Sequence, residues 1–462
     1  MLDELRKAVE SVKCTYADAR YQVRDLLSIS VGKGELEEVN SSQTTGVGIR
    51  VLKNGSWGFA SVNSIKINEL LEAAKSAERS AELTAEARKT KSGGLKEVKL
   101  AVGTFSARVR GKLEEVTTEE KMNAVVEAEK RMRALDDRIV SARCGFNQII
   151  DHKYFASTDG GSYELYDSKP EFRTAAICMS GSEAVVGVES EGVTGGWKDL
   201  FAKMDNMAMA RSAAEKALRL LGASHMKGGR ETVILDPSLV GLISHEAIGH
   251  TVEADFVQSG SIASQMMGKK VASELVTLAD SGASEHSDGA AGTIPVDDEG
   301  VLTRKVEMIK DGVMVGYLHD RETAKAFGAE PTGNARAFSY TDEPIIRMRN
   351  TYIEPGDWKL DELIEDTKDG YLLAGALNGE ADANAEFMFA IQEARRIENG
   401  KLGELFRGVT ISGSAFEALS TVDAITREFQ WDMGSGYCGK GQLAKVDGGG
   451  GSLRCKVLLG GR

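Results

Sequence analysis

The run ETVILDPSLVGLISHEAIGHTVEADF, Glu231 to Phe256, constrains the fold more than any other stretch. Thr232 to Leu235 reads as a short apolar strand. Asp236 then supplies a helix N-cap and Pro237 the first helical position, where a missing N–H does no harm. The helix that follows is nearly all apolar and so belongs in a core, yet it carries His245, Glu246 and His250. Unpaired polar groups in such surroundings cost roughly 2–7 kcal/mol each. Two histidines flanking a glutamate therefore ask for a shared partner, and a metal ion suits imidazole.

The spacing is unusual. HExxH sets two histidines about 40° apart around a helix, whereas the HExxxH found here sets them about 140° apart on an ideal α-helix. Rings so splayed could not share an ion. A π-bulge or a loosened last turn removes the discrepancy, and Gly249, beside the second histidine, permits either. A distorted helix end at Gly249, with both imidazoles turned onto one ion, is the expectation. The alternatives are a chance pattern, or a polar patch where the helix reaches the surface.

At 462 residues the chain exceeds one ordinary domain, and two units, 1–225 and 226–462, are expected. Asp plus Glu outnumber Lys plus Arg by 70 to 57, giving a net charge of -13 and arguing against nucleic acid as a partner. The opening MLDELRKAVESVKC has no apolar signal region, and no run approaches the roughly 18 apolar residues of a membrane span. Five widely spaced cysteines do not form a disulfide framework, and the cytoplasm is the expected compartment.

An α+β fold is expected. In the first half, Leu2 to Lys13 reads as an amphipathic helix and Tyr16 to Val31 as one or two strands. Gly46 to Ser61 reads as a hairpin about Asn54-Gly55. Ile67 to about Arg88 turns helical, and a second helix opens at Thr117, where Thr117 and Glu120 make a capping box. Ile139 to Gly192 reads as a set of short strands and Lys198 to Leu221 as one helix, whose methionines at 204, 207 and 209 are core filler. An antiparallel sheet with helices results. In the second half, Asp311-Gly312, Asn378-Gly379 and Asn399-Gly400 punctuate short alternating strands. A sandwich or partly closed barrel carrying the HExxxH helix is expected there. The glycine-rich tail Val446 to Arg454 reads as a flexible loop, not a nucleotide site.

A catalytic zinc site takes three protein ligands and a water. Glu253 and Asp255, just past the helix, and the distant Cys438 all offer a third ligand. Cys438 sits among Gly434, Gly436, Gly439 and Gly441, a loop in which backbone can approach closely, and Lys440 beside it favours a thiolate. The residues alone leave this choice open.

These segments, with GVGIRVLKNGSWGFAS (Gly46 to Ser61), VDDEG (Val296 to Gly300), GYLHDRETA (Gly316 to Ala324), TGNAR (Thr332 to Arg336), MRNTYIEPGD (Met348 to Asp357), IENGKL (Ile397 to Leu402) and CGKGQ (Cys438 to Gln442), resemble the TldD/PmbA metalloprotease family, in its metal-bearing TldD-like branch. The resemblance implies that His245, His250 and Cys438 hold one divalent metal ion, Zn by expectation, and that Glu246 is the catalytic base. It implies cleavage of unfolded or extended peptides within a dimer, either of this chain with itself or with a PmbA-like subunit lacking the metal motif. The chain departs from the family's pattern in a Cys438 loop shorter by one residue and in Thr251 where glycine is common. His319, Arg321 and Tyr340 lie in resembling segments and are expected to support structure rather than react. Two rivals share the metal residues: a metal-dependent amidase for small molecules, and a non-catalytic, metal-stabilised partner subunit. The second leaves Glu246 without a purpose.

Overall fold

The structure is a computed structural model and describes residues 1–88 and 91–461. It is an α+β fold, as the sequence leads one to expect.

The first half is built on one seven-stranded sheet. Ser56–Val62, Glu35–Lys53, Tyr16–Gly32, Ile139–Ser157 and Ser162–Ser180 lie in that order, and Val102–Ser106 and Glu183–Gly192 both pair with Ser162–Ser180. Asn54 and Gly55 turn the expected hairpin with φ of 54° and 75°, as a tight two-residue turn requires. Leu2–Glu10 and Ile67–Ala87 bury Leu5, Val9, Leu70 and Ala74 against the start of the sheet, giving one core. Thr118–Arg133, opened by the Thr117/Glu120 capping box, and Asn206–Leu221 bury a second core with Phe146 and Phe172.

Two expectations fail here for identifiable reasons. The strands after Ile139 are long: Ile139–Ser157 and Ser162–Ser180 have 19 residues each. Their mid-strand charges look like loop signals but are buried ion pairs. Lys153 reaches Asp298 at 3.0 Å, and Glu171 pairs with Lys445, so these charges face the second half of the chain rather than water. The expected helix Lys198 to Leu221 is two, Trp197–Leu200 and Asn206–Leu221, because the Asp205 side chain accepts from the Ala208 N–H and starts a new helix. Met209 fills the core behind it, whereas Met204 is 38% exposed.

In the second half, Asp369–Ala381, Gly229–Leu235, Leu453–Gly460, Val409–Ser414 and Glu386–Glu398 bond side to side, and the last pairs back onto the first. The barrel is thus fully closed with five strands, leaving no free edge within the ring. A mixed sheet that includes Leu278–Ser281, Asn350–Ile353 and Asp447–Gly450 lies beside it. Asp311-Gly312 and Asn399-Gly400 make their turns, all four residues at positive φ. Asn378-Gly379 does not: it lies within the strand Asp369–Ala381. A Cβ on Gly379 would stand 1.9 Å from the Phe389 ring, so glycine makes room for a cross-strand aromatic instead of turning the chain.

The glycine-rich tail is also not a flexible loop. Asp447–Gly450 is a buried strand, and a Cβ on Gly241 would lie 2.6 Å from the Gly448 carbonyl carbon. Glycine lets the helix that bears the histidines lie directly on this strand.

The two halves are fastened by Val296 to Gly300. Glu299 pairs with Arg50 at 3.2 Å and Asp298 with Lys153 at 3.0 Å, while the Asp297 carboxylate holds the segment in shape by accepting from the N–H groups of Glu299, Val301 and Ala335. Burial, with Glu299 adding like charge, pushes the neighbouring Asp320 carboxyl up to about 7. A carboxyl raised on folding contributes stability that is complete below its ordinary value of 3.8 and is lost as pH rises through about 7. Urea midpoints for wild type and Asp320→Asn, compared from pH 4 to 8 by circular dichroism, are therefore expected to shift in favour of the variant as pH rises. A constant difference contradicts this.

Candidate metal centre

The site begins at the helix N-terminus. Asp236 caps it by accepting from the Leu239 N–H at 3.0 Å, and its second oxygen accepts from Gly375 N–H at 2.8 Å on a barrel strand. The helix is thus docked to the barrel before it reaches the histidines. Pro237–Leu242 is α-helical, Ile243–Gly249 is π-helical, and His250–Val252 closes as a 3-10 turn.

The geometric conflict read from HExxxH is resolved by that π turn. The His250 N–H donates to the His245 carbonyl, an i to i+5 bond, which stacks residues five apart on one face. The unwinding starts ahead of His245 rather than only at Gly249. Gly249 itself has an ordinary helical φ of −54°, so its freedom at unusual φ is not what is used. A Cβ there would sit 1.9 Å from Met348 Sδ; glycine is needed for that approach. Gly249→Ala is expected to destabilise the protein by about 1–3 kcal/mol through overpacking. In thermal unfolding, a Gly249→Ala/Met348→Ala double variant should lose less than the sum of the two single changes.

His245 is 1% exposed, and both of its ring nitrogens are buried with no hydrogen-bond partner among the described residues. His250 is half-buried, its ring centroid 5.3 Å from that of His245. Cys438, buried in the hairpin formed by Tyr437–Gly439 and Leu443–Lys445, brings its Sγ to 3.1 Å from His250 Nε2. One ligand atom from each of the three side chains lies within 4.8 Å of the other two. Glu246 Oε2 stands 3.8 Å from His250 Nε2. Glu246, His250, Thr251, Phe256, Asp382 and Lys440 line a cavity of about 390 Å³ beside the cluster.

A divalent ion fits these residues. Ligand atoms around a tetrahedral zinc stand roughly 3.3–3.8 Å apart, so closure on an ion takes small side-chain rotations. The orphaned His245 ring is otherwise an uncompensated buried polar group. The electrostatics are also those of a cation site. Burial alone would raise the Cys438 thiol, but the imidazoles of His245 and His250 hold it down at about 4. Burial opposes charge on His250, and its contacts with Cys438 and Glu253 outweigh that, pushing it up to about 10.

The other residues singled out in the sequence lie elsewhere. Glu253 is fully buried and its Oε2 is 3.0 Å from His250 Nδ1, on the side of the ring away from Cys438. Asp255 pairs with Lys440 at 2.7 Å. Lys440, expected to favour the thiolate, points instead at Glu253, Asp255 and the Ile346 carbonyl; the imidazoles supply the positive charge at sulfur. Thr251 is 2% exposed and its hydroxyl donates to the Ile248 carbonyl. His319 contacts Thr323, Arg321 bonds Asp159 and Lys96, and Tyr340 covers Gly46. Sequence reading missed Arg347, fully buried, which donates to the carbonyls of Cys438 and Gln442 at 2.7 and 2.6 Å and so clamps both ends of the short Cys438 loop. Its signal was present: arginines at 347 and 349 in an apolar run must each find acceptors.

Known proteins resemble this chain throughout. Residues 228–456 match the PmbA/TldA metallopeptidase C-terminal domain, 17–81 its domain 1 and 111–221 its central domain. A metalloprotease from Methanocaldococcus jannaschii is 35% identical over 95% of each chain. A zinc metalloprotease TldD homolog from Saccharolobus solfataricus is 30% identical over 98% of each. Among solved structures, TldE from Thermococcus kodakarensis shares the fold with a TM-score of 0.77 at 18% identity, covering 99% of both chains. The chain belongs to the PmbA/TldD family of metallopeptidases and is accordingly a metal-dependent peptidase.

Proposed function

We propose that His245, His250 and Cys438 hold one zinc ion and that Glu246 acts as general base in the hydrolysis of unfolded or extended peptides. The observation that carries this is the buried His245 ring, without a partner of its own, within ligand reach of His250 and Cys438. A divalent ion held there supplies Lewis acidity, which polarises a peptide carbonyl and acidifies water. The Cys438 thiolate brings a full negative charge to the set, a donor that suits zinc, iron or cobalt and not magnesium or calcium. Glu246, facing the cavity beside His250 Nε2, takes a proton from the attacking water at a carboxylate oxygen and returns it to the leaving amine.

The cavity extends from Glu246 to Asp382, at the turn after the barrel strand Asp369–Ala381, and gives a peptide a place beside the cluster. In this reading the enzyme works in the cytoplasm as a dimer, with itself or with a PmbA-like subunit lacking the metal motif. The unit 1–225 supports the unit 226–462, which carries the chemistry. No helix among the described residues is long and apolar enough to cross a membrane.

The test is a panel of unstructured peptides and small amides, assayed before and after removal of metal with a chelator. Peptide cleavage that is lost on chelation and restored by zinc is expected. Turnover of small amides with peptides untouched contradicts the substrate reading, and activity that survives chelation contradicts the metal.

A further inference from the structure

The ligands proposed above come from two segments far apart in the chain, and one buried cluster ties them together. On the helix side, Glu253 Oε2 lies 3.0 Å from His250 Nδ1. An ionised carboxylate only accepts, so this contact holds a proton on Nδ1 and leaves Nε2 as the nitrogen that gives up its proton to take a metal. Nε2 is the nitrogen that faces Cys438 Sγ at 3.1 Å and Glu246 Oε2 at 3.8 Å. On the hairpin side, Lys440 is two residues beyond Cys438 and sends its ammonium back to the same Glu253 oxygen at 3.1 Å. It also reaches Asp255 at 2.7 Å and the Ile346 carbonyl at 3.1 Å, and lies 4.2 Å from the centre of the Phe256 ring. One carboxylate oxygen thus fixes a histidine from the helix and a lysine from the cysteine hairpin at once.

The two histidines are supported unequally. His250 has this carboxylate behind it, whereas His245 has no hydrogen-bond partner among the described residues on either nitrogen.

We propose that Glu253 and Lys440 are positioning residues that join the two halves of the ligand set: Glu253 sets the tautomer and angle of His250, and Lys440 locks the Cys438 hairpin to it. The inference rests on the His245, His250 and Cys438 ligand assignment. Neither residue is a metal ligand in this account. Their loss is felt as weaker metal binding even in protein that is folded.

The test measures the zinc dissociation constant of the full chain by competition with a chromophoric chelator, and the cobalt-thiolate absorption band after cobalt substitution. Glu253→Gln and Lys440→Met are expected to weaken zinc by roughly 10–100-fold and to diminish or shift the thiolate band. Lys440→Arg, which keeps the charge, should recover most of the loss. Asp255→Asn removes a more exposed partner of Lys440 that does not touch His250, and it should stay within about fivefold of wild type. Melting curves of the metal-free proteins establish that each variant is folded, and should Glu253→Gln fail to fold, Lys440→Met and Lys440→Arg carry the test. Stoichiometric zinc in wild type with unchanged affinity in Glu253→Gln and Lys440→Met overturns this inference alone. Absence of zinc from wild type overturns the ligand assignment, and this inference with it.

Discussion

Glu246→Gln is expected to lower peptide hydrolysis by roughly 10²- to 10⁴-fold, the range of a general base, while leaving metal content at the wild-type level. The two effects separate because Glu246 is outside the cluster formed by His245, His250 and Cys438, and its carboxylate faces the cavity. Glutamine keeps the size and one carbonyl acceptor but cannot take a proton. Loss of activity together with loss of metal would make Glu246 a ligand or a structural anchor instead. Undiminished activity with metal in place would remove it from the mechanism.

Cys438→Ala is expected to act on the ion itself. Structural zinc sites with four ligands bind with roughly 10–16 kcal/mol, or about 3 kcal/mol for each, so losing one weakens zinc by roughly 100-fold. Activity at low zinc should fall in step and recover partly when zinc is added. The fold should persist, because the Cys438 loop is held from outside by Arg347 on the carbonyls of residues 438 and 442 and by Lys440 on Glu253 and Asp255. Metal analysis and a melting curve on the same preparation check both statements. Wild-type zinc affinity in this variant would exclude the sulfur as a ligand.

Much of the site was legible because the sequence contained a contradiction. HExxxH on a regular helix points its histidines apart, so a partner shared by both requires a distortion. The π turn over Ile243–Gly249 is that distortion. What the sequence could not convey was the reason for Gly249, because Met348, the side chain that needs the space, is far away in the chain. The same holds for Gly448, which reads as part of a flexible loop until Gly241 is seen against it, and for Gly379, which reads as a turn until Phe389 is seen across from it. Glycine announces a backbone requirement without saying whether it is conformational or spatial.

Charges misled in a related way. Lys153 and Glu171 interrupt apolar patterns that would otherwise mark Ile139–Ser157 and Ser162–Ser180 as long strands. Their partners, Asp298 and Lys445, belong to the other half of the molecule. Turns set by local chemistry fared better: Asn54-Gly55, Asp311-Gly312 and Asn399-Gly400 need only their own backbone at positive φ. The Thr117/Glu120 capping box is equally local and is present as expected.

The central claim is that a π-helical turn and a distant hairpin share one metal ion. A crystal of the zinc-loaded protein, with anomalous difference maps collected on either side of the zinc edge, tests it most directly. One peak per chain within about 2.0–2.3 Å of a nitrogen of His245, of His250 Nε2 and of Cys438 Sγ is the predicted result. A zinc peak elsewhere in a fully loaded protein, or one bonded to the histidines with the sulfur turned away, would contradict the account.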